Sequence, residues 1–212
     1  MTQVPKIPTR LNTVTAKNLA ESQLHLLTVI SSQRFLKNEG LNNEVPFHIC
    51  PFEPQMNDEM GQAIRQLKNE LAEKGVGVLE INLYDLVIEV LKEEGDWEWL
   101  IENETTLERE ELKEELQGIL DTESVLIPAI VKKMKSTTYD VIFMTGVGEV
   151  FPYIRSHNIL NNLQRVAKDR PTLMFFPGKY QHSLASGASL RLFDKLTDDK
   201  YYRAFNILDR AN

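Results

Sequence analysis

The chain has a single cysteine, Cys50, among its 212 residues. An internal disulfide is therefore excluded, and the thiol fits a reducing compartment, where it serves most simply as a small buried hydrophobe. Four histidines scattered as His25, His48, His157 and His182 do not form the paired spacing of a zinc site, although His48 and Cys50 share one strand face. No metal site is expected. Apolar runs approaching the roughly 20 residues of a membrane span are missing. The opening Met-Thr-Gln-Val-Pro-Lys-Ile-Pro has no apolar stretch suited to a signal peptide, so the expected location is cytoplasmic. There is no Gly-x-Ser-x-Gly elbow and no complete Walker A loop. Net positive charge is lacking too: at −7 the chain as a whole is a poor match for nucleic acid, whose nonspecific binding depends on lysine and arginine neutralising phosphates.

What is present is an ordinary globular composition, 42% hydrophobic and 26% charged, in a length that suits one substantial core. Charge is unevenly placed. The segment from Glu89 to Glu115 carries a net −9, whereas Arg165 to the end carries +4. Such polarity favours oriented protein partners, or else marks solvated helix faces.

Residues 1–14, with Pro5, Pro8 and no periodicity, read as a flexible tail. Thr15 or Asn18 is placed to cap a long helix carrying Leu19, Leu24, Leu27, Ile30 and Phe35 as far as Gly40. Val45–Pro51 is a short apolar run and reads as a buried strand. A helix capped by Asn57 or Asp58 follows, with Met60, Ile64, Leu67 and Leu71 at helical spacing up to Gly75. Val76–Leu83 is the second strand. From Tyr84 to Thr137 the patterns are helical, with an aromatic patch at Trp97 and Trp99 and an acidic stretch carrying Leu107, Leu112, Leu116 and Ile119. Strands return at Asp140–Thr145 and Thr172–Phe176, with a helix between them. Runs at Leu190–Phe193 and Tyr202–Ile207 suit short strands at the sheet edge, and SLASGAS is a small-residue loop.

This alternation predicts an α/β fold. Parallel strands need crossovers and usually take helices for them, so the expectation is a Rossmann-like, mostly parallel sheet with helices on both faces. An N-terminal helix precedes it, and a helical insertion at about 84–137 comes before the third strand. Residues 15–212 form one α/β domain in this reading. Ligands in such folds sit beyond the carboxyl ends of the strands, here Cys50–Pro54, Tyr84, Thr145–Glu149 and Pro177–Lys179.

Two segments invite a phosphate-binding reading. In Gly146-Val147-Gly148, the third small residue of a dinucleotide fingerprint is replaced by Phe151, and Glu149 stands where a following helix would offer its free N–H groups. A structural strand-to-helix turn, with Pro152 in the first helical turn, is the stronger reading. Phe176-Pro177-Gly178-Lys179-Tyr180 has Leu173 and Tyr180 where a Walker A loop needs glycine and serine or threonine. There remains the dense polar set Glu149, Tyr153, Arg155, Ser156, His157 and Asn158. Either Arg155 and His157 bind an acidic group, or Glu149 pairs with Arg155 while Ser156 or Asn158 caps a helical turn.

The ordered series TGVGEVFPYIRSHNILNNLQ, LMFFPGKY, SLRLF and DDKYYRAFNI resembles the BrxB family, a small component of BREX bacteriophage-defence systems. The similarity extends over most of the chain from about Val45. It implies a place beside a site-specific DNA methyltransferase, a large AAA+ ATPase and a PglZ-type protein of the alkaline-phosphatase superfamily, in systems that methylate the host genome and block unmethylated phage. It implies no catalytic activity and no cofactor. On this resemblance Thr145, Gly146, Gly148, Glu149, Arg155, His157 and Asn158 are framework or contact residues, as are Tyr153, Gly178, Arg191, Tyr201, Tyr202 and Arg203. The leading expectation is a non-catalytic scaffold that binds a PglZ-type partner through exposed aromatics (Trp97, Trp99, Tyr201, Tyr202) or charged faces and meets DNA only indirectly. A homodimer is compatible with it. The rival is a nucleotide- or anion-binding enzyme or sensor at the sheet edge from Gly146 to His157, which requires a pocket joining Glu149, Arg155, His157 and Lys179. Direct DNA binding through the basic C-terminal portion ranks third.

Overall fold

The computed structural model describes residues 12–39, 46–183, 187–198 and 204–210. Five strands run parallel: β1 (Phe47–Phe52), β2 (Val78–Asn82), β3 (Val141–Thr145), β4 (Thr172–Ser183) and β7 (Phe205–Asn206), in the spatial order β2-β3-β4-β1-β7. Past Pro177, β4 leaves the parallel sheet and pairs antiparallel with β5 (Gly187–Leu192), which in turn pairs with β6 (Leu196–Asp198). Proline cannot donate to a ladder, which suits this change of partner. The sequence expectation ended this strand at Phe176; the hairpin it missed absorbs part of the expected SLASGAS loop, of which residues 184–186 lie outside the described set.

Side chains alternate across the sheet and build two cores. On one face Cys50, Phe52, Val141, Phe143, Leu173 and Phe175 meet α1 (Leu19–Ile30), α2 (Gln33–Leu36) and α3 (Asn57–Glu73). On the other, Phe47, Ile49, Ile142, Met144, Met174 and Phe176 meet α4 (Leu83–Glu94), α6 (Arg109–Ile119), α7 (Ile127–Ser136) and α8 (Ser156–Leu163). All five residues of β3 are buried, as expected for a strand covered on both faces. The chain travels from β1 to the far edge through α3 on the first face. It returns from β2 to β3 and from β3 to β4 through α4–α7 and α8 on the second. Moving one way on one face and back on the other is what a constant crossover hand requires. The Rossmann-like order and the helical insertion between β2 and β3 both match the sequence reading.

Three local expectations are corrected. The long N-terminal helix breaks at Ser31 and Ser32, and the Ser32 hydroxyl accepts from Phe35 N–H to start α2 afresh; Leu24, assigned to the apolar face, is exposed. Serine side chains compete for backbone groups, which favours such a restart. Val14, placed at the end of a tail, is fully buried. It bridges Phe52, its N–H donating to Pro51 O at 2.8 Å and its carbonyl accepting from Glu53 N–H at 3.0 Å. Helical pattern through Val125 resolves into a π-turn (Thr122–Leu126) leading into α7, with Asp121 capping through Ser124 N–H. Between α4 and α6 lies a short helix, α5 (Trp97–Asn103). Among the described residues no helix is long and apolar enough to cross a membrane.

Candidate functional site

The carboxyl ends of β1, β2, β3 and β4 converge on one edge, and a cleft of about 420 Å³ opens there between the β3 turn and the first half of α3. Asn57, Asp58 and Arg65 of α3 form one wall, and Gly146 to Glu149 the other. In its floor Glu80 accepts from the Lys68 ammonium and, at 3.1 Å, from the Thr145 hydroxyl. Alternating burial along β2 leaves Glu80 half-buried on the side from which α3 delivers Lys68. The lining therefore holds three carboxylates, Asp58, Glu80 and Glu149, against Arg65, which has no ion-pair partner among the described residues, while Lys68 is committed to Glu80. A phosphate 4 Å from one carboxylate meets roughly 4 kcal/mol of repulsion at an effective dielectric of 20. One arginine does not offset two free carboxylates, so the cleft is mixed in character and unsuited to polyphosphate.

The Gly146 turn is occupied by the protein itself. Asn82 caps α4, its side-chain oxygen accepting from Tyr84 N–H at 2.9 Å and Asp85 N–H at 3.2 Å. Gly146, at φ +72°, lies directly over that cap: a β-carbon there would stand 2.5 Å from Asn82 Oδ1 and 3.1 Å from Leu83 N and Tyr84 N. Donors that could have met an anion are thus satisfied and roofed by backbone. Gly148 is equally close-fitted, since its β-carbon would stand 2.9 Å from Phe193 and 3.0 Å from Pro177.

The expected helix immediately after this turn is absent. Ten residues separate β3 from α8, and they form successive turns. Val147, Val150 and Ile154 bury at helix-like intervals in this stretch, which explains why its pattern read as helical. Glu149 consequently stands at no helix N-terminus, and Pro152 lies in a turn. Arg155 occupies the N-cap position of α8, Ser156 is the first helical residue, and Asn158 is inside the helix, its N–H donating to Arg155 O. Nor do Glu149 and Arg155 pair. Glu149 accepts from Asn57 Nδ2 at 3.2 Å, and the Arg155 guanidinium lies 5.8 Å from the Phe151 ring centroid.

The other expected residues scatter. Thr145 and His157 are buried, the latter on α8. Tyr153 packs half-buried on the second core, and the carbonyl of Asn158 accepts from Asn162. Gly178 pairs with Leu192 in the hairpin and touches the neighbouring strand so closely that a β-carbon would stand 2.1 Å from Arg191 O. Arg191 is exposed opposite Lys179, which itself pairs with Asp194 at 3.2 Å. Of Glu149, Arg155, His157 and Lys179, only Glu149 lines the cleft; Arg155 borders a separate, small apolar depression with Phe151 and Phe176. Trp97 is half-buried beneath the Lys92 ammonium and Trp99 is exposed. Tyr201, Tyr202 and Arg203 lie outside the described residues.

Sequence reasoning missed the Asn82 cap, which the order Asn-Leu-Tyr-Asp signals as a helix start. It also missed the α3 wall of the cleft and the Glu80 group, which no local pattern announces. A further unforeseen contact joins the buried His48 to Arg210, whose Nη1 donates to Nε2 at 2.7 Å. Phe35 packs against both, 4.9 Å from the imidazole and 5.3 Å from the guanidinium. Burial first, and the Arg210 charge second, push the His48 pKa down to about 3, so the ring is neutral and Nε2 is the acceptor. Burial alone pushes the Cys50 thiol up to about 12. Among the described residues no group of three or more His, Cys, Asp and Glu is placed to hold a metal ion.

Comparison with known proteins bears on this architecture. The family model described as BREX protein BrxB matches residues 79–207, from β2 through the helical insertion and the hairpin to the C-terminal strand. A BREX protein BrxB of Bacillus cereus (strain H3081.97) is 33% identical over 189 residues, covering 87% of this chain and 95% of the relative. Another from Escherichia coli O9:H4 (strain HS) is 32% identical over 179 residues, covering 84% and 86%. No solved structure matches the chain significantly. On the family match and the near full-length similarity to both relatives, the chain belongs to the BrxB family of BREX proteins.

Proposed function

We propose that this protein is a non-catalytic interaction component of a cytoplasmic BREX phage-defence complex, supporting host DNA methylation and phage restriction by binding a PglZ-type partner. The observation that carries this reading is how the polar groups of the sheet edge are used. Asn82 holds α4, Glu80 holds Lys68 and Thr145, Glu149 holds Asn57, Lys179 holds Asp194, and Arg155 lies on Phe151. Groups spent on holding turns and strands together are not arranged as a nucleophile, base and oxyanion site. The outer surface, by contrast, carries partly exposed apolar side chains, Trp99 and Ile101, within an acidic stretch of sequence. Co-expression with the cognate PglZ-type protein, followed by size-exclusion chromatography with light scattering, tests this: a stoichiometric complex is expected, and two separate peaks would sink the reading.

The cleft beside α3 favours a second reading, a small polar ligand held between Arg65 and Asn57 on one side and the Gly146 turn on the other. Its mixed charge points away from nucleoside triphosphates. Calorimetry with nucleotides, with and without magnesium, is expected to register no heat on the leading reading; saturable binding lost in Arg65→Ala would instead favour the sensor.

A further inference from the structure

Helix α3 sets Asn57, Gly61 and Arg65 four residues apart, so the three follow one another along a single stripe, and that stripe lines the cleft. Long side chains on a helix lean towards its N-terminus. Arg65 does so: its Nη1 lies 3.6 Å from where a β-carbon at Gly61 would stand, and among the described residues nothing else outside the helix backbone comes within 4 Å of that point. Gly61 is not at positive φ either. Neither its backbone nor its neighbours require glycine, and the absent side chain leaves the cleft open beside the guanidinium.

The charges on this cleft do not meet one another. Asp58 and Arg65 have no ion-pair partner among the described residues, and Glu149 on the opposite wall accepts from the neutral Asn57 amide at 3.2 Å, which leaves its charge uncompensated. The floor differs, because Lys68 already offsets Glu80. Two carboxylates and one guanidinium held around a space without pairing are complemented by a molecule that brings both an ammonium and an anion. A purely anionic ligand meets the carboxylates, and a purely cationic one leaves Arg65 unanswered. Phe52, Met60, Phe175 and Pro177 add apolar surface. The volume, about 420 Å³, lies near the lower end of the roughly 300–1,000 Å³ common for small-molecule sites.

We propose that the cleft binds a free α-amino acid with an apolar side chain: its carboxylate meets the Arg65 guanidinium, its ammonium meets Asp58 and Glu149, and its side chain lies on the apolar part of the lining. This rests on the small-ligand reading of the cleft given above, whose ligand class it names, and is independent of the PglZ-type partner. An ammonium has three donors to divide between two carboxylates, and a guanidinium holds a carboxylate through two parallel bonds.

The test is titration calorimetry of the full chain with leucine, methionine and phenylalanine, and with 3-methylbutylamine, 4-methylpentanoate, inorganic phosphate and ATP for comparison. Saturable one-site binding of an amino acid is expected. The amine and the acid, each lacking one of leucine's two charges, are expected to bind about tenfold more weakly or worse, the scale of a charged hydrogen bond lost from a site. Arg65→Gln and Glu149→Gln should each weaken amino-acid binding by a similar factor; the glutamine at 149 retains an acceptor for Asn57. Gly61→Leu fills the cleft and should abolish binding while the urea midpoint stays level or rises, because leucine is the better helix former. Equal binding of leucine and 3-methylbutylamine, or amino-acid binding unchanged in both charge variants, would overturn the assignment. Binding of phosphate or ATP that is lost in Arg65→Gln, with no amino acid bound, would overturn the class and leave the small-ligand reading standing. No heat from any of these compounds would remove both.

Discussion

Replacing Gly146 by alanine separates a turn that shapes the fold from one that waits for a ligand. A residue with a β-carbon at φ +72° costs about 1–2 kcal/mol in the left-handed region. Here the β-carbon would also drive into Asn82 Oδ1, which at 2.5 Å must move and release Tyr84 and Asp85 N–H. Loss of that cap costs about 1 kcal/mol more. The expected destabilisation is therefore about 2–3 kcal/mol, a large share of the roughly 5–15 kcal/mol of a typical domain. Two other glycines calibrate it. Gly95 ends α4 at φ +88° with nothing within 4 Å of a β-carbon, so Gly95→Ala isolates the backbone term at about 1–2 kcal/mol. Gly118 lies within α6 with open space around it, so Gly118→Ala should stabilise by up to about 1 kcal/mol. Urea unfolding followed by circular dichroism reads all three as shifts in midpoint at constant slope. Gly146→Ala no worse than Gly95→Ala would mean that Asn82 and Gly146 are not coupled, and would refute the reading of the turn as a lid on α4.

His48 supplies a pH signature. Its folded pKa of about 3 lies below the roughly 6.5 of an unfolded histidine, so between those values the unfolded chain binds more protons. The resulting stability is fully present above pH 6.5 and declines as pH falls towards 3, at up to about 1.4 kcal/mol per pH unit. His48→Gln, which keeps an acceptor for Arg210, should remove that slope between pH 7 and pH 5; parallel unfolding curves for the two proteins would exclude His48 as its source. Cys50, fully buried with its thiol pushed up to about 12, should leave Ellman's reagent uncoloured in the native state and release one equivalent in urea. Prompt reaction without denaturant would show that the core around β1 opens.

Where a single element carries its own pattern, the sequence was legible. The α3 apolar positions Met60, Ile64, Leu67 and Leu71 are all buried, and Gly75 and Gly95 follow helix ends at positive φ as a stop signal should. Strand β3, too hydrophobic to show alternation, was recognisable as covered on both faces. Legibility failed where two structures share one pattern. Val147, Val150 and Ile154 recur as in a helix but hang on turns, and Thr172 to Ser183 reads as a short strand plus loop until β5 is there to pair with it. Of the polar set on the TGVGE and RSHN motifs, the sequence placed the residues near the sheet edge without telling which of them would meet. Glu149 finds Asn57, 92 positions away, in place of Arg155 beside it.

Local pattern by itself determined the α/β class, the helical insertion and the acidic character of that insertion, because each depends on the order and periodicity of residues along one stretch of chain; the family was recognisable by the resemblance of a series of motifs. Only tertiary structure decided what the polar residues do. The Asn57–Glu149, Glu80–Thr145 and His48–Arg210 contacts join elements remote in sequence, and their chemistry arises from strand order and helix placement that no short window encodes. The same holds for exposure on α5. Trp97 and Trp99 are two residues apart on a helix, so they face different ways, and Trp97 packs on the core while Trp99 is left the more exposed of the two.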